Sequence, residues 1–233
     1  MRLSVVIPAL NEAANLQRAV VSAWRGGSDE VLVVDGGSDD GTAHLAATLE
    51  CTLLSAPRGR AAQQNAGARA AAGDVLLFLH ADNWLISGDI KEQIVSALAN
   101  SRRLHGALRQ RIDAHGLAYR LLERGNAARV RLLGVPYGDQ AIYVRRETFW
   151  QLGGFPEVPL LEDLILVQRL RRLAWPALMP GPVAVSPRRW QRQGVIRQTL
   201  RNWSLVSRHW LGESPESLAG EYPRHYDQND PRV

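Results

Sequence analysis

The stretch LFLHADN, residues 77–83, carries an apolar run into His80, Asp82 and Asn83. Imidazole and carboxylate groups bind metals and move protons. At the end of a buried strand they are either punctuation or the lip of a site. Other segments repeat the pattern. PALNEAANL (8–16) offers Asn11 and Glu12, VVDGGSDDGT (33–42) offers Asp35, Ser38 and Asp40, and LLEDLILV (160–167) offers adjacent Glu162 and Asp163. Each has an ordinary explanation. Asn11 reads as a helix N-cap, Asp35 as the close of a turn, and Glu162–Asp163 as acidic residues in the first turn of a helix.

The elements that must position these residues alternate strictly at first. Short apolar, β-branched runs at 3–9, 30–37, 51–56 and 74–82 read as strands. Helical spacing separates them at 12–24, 41–50 and 59–73, the last alanine-rich and stopped by Gly73. Runs this apolar imply a sheet covered on both faces, and right-handed crossovers then make a Rossmann-like half. In such sheets ligands bind beyond the carboxyl ends of the strands. Pro8, Asn11, Asp35 and Asp82 all fall at or just past those ends.

Past residue 86 the pattern changes. The spacing predicts helices over 87–100, 115–133 and 162–173, strands over 105–113 and 138–146, and a short helix and turn in ETFWQLGGF. PALMPGPVAVS (176–186) is broken by prolines and reads as an edge strand. An amphipathic helix follows over 194–212, and the last dozen residues are polar and loosely held. One domain with an appendage results. Residues 1–186 form its body, with a donor half (1–86) and an acceptor half (87–186), and 187–233 form a helical extension packed on it.

Composition limits the function classes. The chain has 233 residues, 45% of them hydrophobic, enough for a sizeable core. Cys51 is the only cysteine, so no disulfide forms within the chain and a reducing compartment is expected. The first apolar run is too short for a signal peptide and is interrupted by Pro8 and Asn11; no window approaches a bilayer span. A soluble, cytoplasmic protein is expected. The net charge of +5 rests on arginine, since Lys91 is the only lysine. Genome composition explains arginine usage as well as function does. Its concentration in 102–146 and 169–208 nevertheless suits an anionic partner.

Taken together, the motifs resemble the family 2 glycosyltransferases, over about residues 2–175. The matching residues are Pro8, Asn11, Glu12, Asp35, Ser38, Asp40, Gly41 and Thr42, then RGRAAQQNAG (58–67), HADN (80–83) and GDQAIYVRR…GGF…ED (138–163). The resemblance implies an A-type, Rossmann-like α/β fold with a mostly parallel central sheet flanked by helices. It implies that Asp35 holds the base of a nucleotide-sugar, usually uracil, whose imide N–H a carboxylate can accept. Arg58 or Arg60 would meet a phosphate and Asn65 the nucleoside. Asp82 would hold Mn²⁺ or Mg²⁺ bridging the diphosphate, as hard oxygen ligands do. His80 stands where the family carries an aspartate, so it is a metal ligand, a hydrogen-bonding support, or a strand-end residue with neither role. Asp163 would be the general base, with Glu162 beside it. Tyr137, Gly138, Asp139 and Gln140 would line the donor-sugar or acceptor side, and Arg188, Arg189 and Trp190 would close over the diphosphate. Within the family, LHAD and SPRRW resemble a compact bacterial branch.

The implied activity is inverting transfer of a sugar from a nucleotide-diphospho-sugar, UDP-linked by preference, to an acceptor hydroxyl. A phosphorylated or lipid-linked acceptor would suit the arginines. Two rivals share the sheet: a nucleotidyltransferase acting on sugar phosphates, and a catalytically silent nucleotide-binding module. Ile196, Leu200, Trp203 and Trp210 fall at helical spacing with arginines between them. Three readings fit them: ordinary core packing, closure over the site by the nearby SPRRW segment, or rest on an anionic inner membrane face. No nucleic-acid motif accompanies the stripe.

Overall fold

The computed structural model describes residues 1–221; the polar tail expected to be loose, 222–233, lies outside them. The first half follows the alternation read from the sequence. β1 (Leu3–Ala9), β2 (Glu30–Asp35), β3 (Thr52–Ser55) and β4 (Val75–Phe78) alternate with α1 (Ala13–Arg25), α2 (Thr42–Thr48) and α3 (Arg60–Ala70). β1 pairs in parallel with β2 and β4, and β2 with β3. Every residue of β1 and β4 is buried, because helices cover both faces. Gly67 lets α3 lie close on the sheet: a Cβ there would stand 2.4 Å from Val6 Cγ1.

The second half breaks the parallel pattern. β5 (Asn83–Leu85), α4 (Ile90–Ala99), β6 (His105–Ile112), α5 (Leu117–Leu133), a 3-10 turn (Gly138–Gln140), β7 (Tyr143–Arg145), α6 (Arg146–Gln151), α7 (Glu162–Leu173) and β8 (Ala177–Val185) follow. The sheet runs β3-β2-β1-β4-β7-β6-β8-β5. β7 is antiparallel to both β4 and β6, so it joins the two halves of one sheet. The strand expected over 138–146 is therefore short, and its first residues form the turn. β8 is not an edge strand: it is parallel to β6 and antiparallel to β5. Its prolines are tolerated because Pro180 and Pro182 fall at the shift in β6–β8 register, where ladder bonds lapse.

One core cluster lies under α1 and α4 and another under α3 and α7. In the second, Phe78, Phe149 and Phe155 pack with ring centroids 4.8 to 5.4 Å apart. Each such buried ring contributes about 1.5–3 kcal/mol. The chain then runs into α8 (Arg188–Gln193), α9 (Val195–Trp210) and α10 (Pro215–Glu221). Trp190 packs with Ile112 and Val185, and Val206 with Ile142, Leu164 and Val167.

Candidate functional site

The loops after β1 and β2 stitch each other together. Asn11 has a left-handed backbone (φ 54°); its N–H donates to Ser38 Oγ (3.0 Å) and its Oδ1 accepts from Asp39 N–H (3.0 Å). Asn11 is thus not the N-cap of α1, as expected from sequence; Glu12 holds that position. The leading α1 donors are satisfied from the neighbouring loop. Glu12 N–H donates to Thr42 Oγ1 (2.9 Å) and Ala13 N–H to Asp40 Oδ2 (3.1 Å). Pro8 is buried past the last β1–β4 pair, where its missing N–H costs no ladder bond. Asp35 is buried. It accepts the N–H groups of Gly37 (2.9 Å) and Ser38 (3.1 Å), and the Ser38 hydroxyl (2.5 Å). A carboxylate has about four acceptor positions, so about one remains for a ligand.

Asp82 lies in the turn between β4 and β5 and shares a partner with Glu12. Arg188 Nη2 stands 3.3 Å from Asp82 Oδ2 and 3.1 Å from Glu12 Oε2. Burial pushes the Glu12 carboxyl above its ordinary value and Asp82 pushes it further, while Arg188 opposes both. Two hard oxygen donors already converge on one cation, a donor set that fits Mg²⁺ or Mn²⁺. Among the described residues no group of three or more His, Cys, Asp and Glu side chains is arranged to hold an ion without a ligand's help.

Asp163 stands in the first turn of α7. Its Oδ2 accepts the N–H of Gly138 at 2.6 Å, and its Oδ1 accepts Leu164 N–H at 2.8 Å. His80 lies on the same side: a methyl on Gly138 would stand 2.9 Å from Asp163 Oδ2 and 3.1 Å from His80 Nε2. One cavity takes in Arg60, His80, Asp82, Tyr137, Asp139 and Asp163. Residues 60, 82 and 163, distant in sequence, therefore share one space. Asp139 is aimed by Gln110, whose Nε2 donates to Oδ2 at 2.7 Å. Arg129 stacks 3.4 Å from the Tyr137 ring centroid, and burial raises the Tyr137 hydroxyl pKa.

Three expected site residues work from beneath. Glu162 is buried away from the cavity and pairs with Arg60 (3.1 Å), so it positions Arg60 and the first turn of α7. Asn65 is corrected: it is 3% exposed, and its amide donates to Phe155 O (2.9 Å) and accepts from Phe155 N–H (3.0 Å), locking α3 to the GGF loop. Gln140 is fully buried, not lining; its Oε1 accepts from Arg129 (2.9 Å) and Tyr137 N–H (3.2 Å).

The C-terminal segment closes the cavity. Trp190, Gln198, Asn202, Leu205 and Val206 form its far wall. Arg188 reaches Glu12 and Asp82, whereas the Arg189 side chain lies outside the described residues. Core packing of Ile196, Leu200, Trp203 and Trp210 is overturned: all four are more than half exposed, and the buried face of α9 carries Gln198, Leu205 and Val206. Sequence reading passed over Gln63, Gln110, Arg129, Gln198 and Asn202. Of these, Gln198 and Asn202 were signalled by their i, i+4 spacing opposite the apolar stripe.

A sheet of this order, with polar loops gathered at its carboxyl edge, defines an A-type glycosyltransferase fold. The chain belongs to glycosyl transferase family 2, whose model matches residues 4–152. Among curated relatives, the glycosyltransferase AglE of Haloferax volcanii is 37% identical over 102 residues, covering 37% of this chain and 34% of that protein. The uncharacterized glycosyltransferase YfnE of Bacillus subtilis is 32% identical over 113 residues, covering 45% and 29%. The chain thus spans about a third of the length of the curated relatives it matches. Among solved structures, S. aureus TarS superposes with a TM-score of 0.64 at 14% identity, covering 80% of this chain and 37% of that one. The mannosyltransferase PcManGT of Pyrobaculum calidifontis, in complex with GDP-Man and Mn²⁺, gives 0.62 at 20% identity, covering 79% and 56%. Among the described residues, no helix is long and apolar enough to cross a membrane.

Proposed function

We propose that this chain transfers a sugar, with inversion, from a nucleotide-diphospho-sugar to an acceptor hydroxyl. UDP is the preferred carrier, because Asp35 offers an acceptor to an imide N–H. The observation that carries the reading is Asp163 Oδ2, held by Gly138 N–H at 2.6 Å and opening into the cavity that Asp82 also faces. Asp163 takes the acceptor proton as the acceptor oxygen bonds to the anomeric carbon. The bond from that carbon to the diphosphate oxygen breaks on the opposite face, and the diphosphate leaves with the electron pair. Arg60 and Arg188 stand where they can receive its charge. Asp82, with Glu12 beside it, would hold Mg²⁺ or Mn²⁺, which supplies Lewis-acid stabilisation of the leaving group when bound. Tyr137, Asp139, Trp190 and Gln198 exclude water and offer the sugar or acceptor an aromatic face and polar partners.

The test is a thermal-shift screen against UDP-, GDP-, dTDP- and CDP-sugars with Mn²⁺ or Mg²⁺, followed by donor hydrolysis. A shift with one nucleotide-sugar and release of its nucleoside diphosphate are expected. No shift with any of them ends the proposal. Turnover of a nucleoside triphosphate with a sugar phosphate would replace it with nucleotidyl transfer. Binding without turnover under any condition would leave a silent module.

A further inference from the structure

Helix α9 turns its buried face to the cavity and leaves an apolar line outside. Ile196, Leu200, Trp203 and Trp210 recur at i, i+4, i+7 and i+14, with exposures of 76%, 57%, 57% and 56%, and Leu211 follows at 88%. Isolated apolar residues on a surface are ordinary, but an aligned set at helical spacing is not. Arg197 and Arg201 each come one residue after a position on this line, about 100° further round the helix. Arg208 follows the same rule from Ser207 and is tied to Glu213 at 2.6 Å. Residues 187–212 contain six arginines and no aspartate or glutamate; of the six, Arg188 turns inward to Glu12 and Asp82. Neighbouring α5, whose Tyr119 and Leu122 share a cluster with Trp190 and Val195, exposes Leu117, Leu121 and Leu132.

The charge selects the occupant. A second copy meeting this face about a two-fold axis would set two basic helices together with no acidic side chain on either α9 to offset them. An acidic surface with an apolar interior matches both features. Isoleucine and leucine would enter the acyl boundary, the tryptophans would settle at headgroup level, and the arginines would meet lipid phosphates.

We propose that the outer face of α9 docks on an anionic lipid surface. A helix is about 10 Å across, so the cavity wall on its inner face then stands within that distance of the headgroups. The docking rests on α9 alone. Its consequence, that the acceptor arrives from the lipid phase, rests on the sugar-transfer reading.

The full chain is sedimented with phosphatidylcholine vesicles, with and without phosphatidylglycerol, while tryptophan emission is followed. Binding is expected to be at least tenfold tighter with phosphatidylglycerol, to blue-shift the emission and to weaken with salt. Leu200→Glu/Trp203→Glu should abolish it, and Arg197→Gln should weaken it about fivefold, the worth of one basic residue near such a surface. Ile196→Ser/Trp210→Ser is a milder second variant should the first fail to fold. The proposal is overturned by equal or absent partition onto the two vesicle types. It is also overturned by wild-type partition in a folded variant, or by a dimer in sedimentation velocity that either double variant dissolves. The nucleotide-sugar thermal shift is read in parallel: lost docking with an intact shift sinks this inference alone, and the reverse sinks the donor reading alone.

Discussion

Asp163 and Glu162 are adjacent in sequence and opposite in circumstance. Asp163 opens on the cavity and is fixed by the Gly138 N–H, while Glu162 is buried against Arg60. Asp163→Asn keeps an oxygen for the Gly138 N–H but loses the capacity to take a proton. Turnover should fall about 10²- to 10⁴-fold with the donor thermal shift unchanged, as initial-rate and melting measurements will report. Gly138→Ala should disturb the same atoms from the other side, because its methyl would stand 2.9 Å from Asp163 Oδ2. For Glu162, burial raises the carboxyl above its ordinary value and Asp163 adds to this, while Arg60 pulls it down. A raised folded-state pKa means that the native chain holds this proton more tightly than the unfolded chain. Its contribution to stability is whole below the ordinary glutamate value and is lost as pH rises through the raised one. The melting temperature of Glu162→Gln should therefore gain on wild type as pH climbs through that window. A constant difference from acid to neutral pH would refute this account.

Helices and loops here are capped by one another, which makes their stability a shared property. The loop after β2 supplies Asp40 and Thr42 to the first N–H groups of α1. Asp40→Ala should cost about 1 kcal/mol by denaturant unfolding and loosen Asn11 and Asp39 with it. α8 does similar work by charge, bringing Arg188 to Glu12 and Asp82. Arg188→Gln removes the cation that competes for those carboxylates, so Mn²⁺ alone should raise the melting temperature of the variant more than that of wild type. The strands β1, β2 and β4 were legible because burial on both faces writes them as unbroken apolar runs. β5 was not, since Asn83–Leu85 has no pattern of its own and pairs only because Val183–Val185 lies alongside. Asp35 and Asp82 were legible as residues at or past strand ends and Asp163 as an acidic residue opening a helix, but their partners were not. Nothing local tells Asn65 that Phe155, 90 residues on, will take both ends of its amide. Which of the three readings of α9 held was not legible for a physical reason: both its faces carry apolar residues, and the richer one faces outward.

Across the whole molecule, long-range and local electrostatics point in opposite directions. The chain is basic, with 28 Lys and Arg against 23 Asp and Glu, so an anionic donor is attracted from a distance. In and beneath the site, five carboxylates (Glu12, Asp82, Asp139, Asp163 and, below the cavity, Glu162) are set against three guanidiniums (Arg60, Arg129 and Arg188). Even with Glu12 and Glu162 inclined towards protonation by burial, a diphosphate brings two more negative charges into a region with no surplus of positive ones. At short range, where screening is weak, that repulsion outweighs the overall charge. A divalent cation on Asp82 and Glu12 would reverse the balance. Donor binding should therefore be strongly cation-dependent, not merely turnover. Calorimetric titration of the matched nucleotide-sugar should give an affinity at least about tenfold tighter, a difference of about 1.4 kcal/mol, with Mn²⁺ than with a chelator. Added sodium chloride should weaken the metal-free association less than it weakens encounter rates, because the opposing charges are sheltered inside the cavity. Equal donor affinity with and without the ion would mean that the three arginines suffice, and would remove the electrostatic case for a metal in this site.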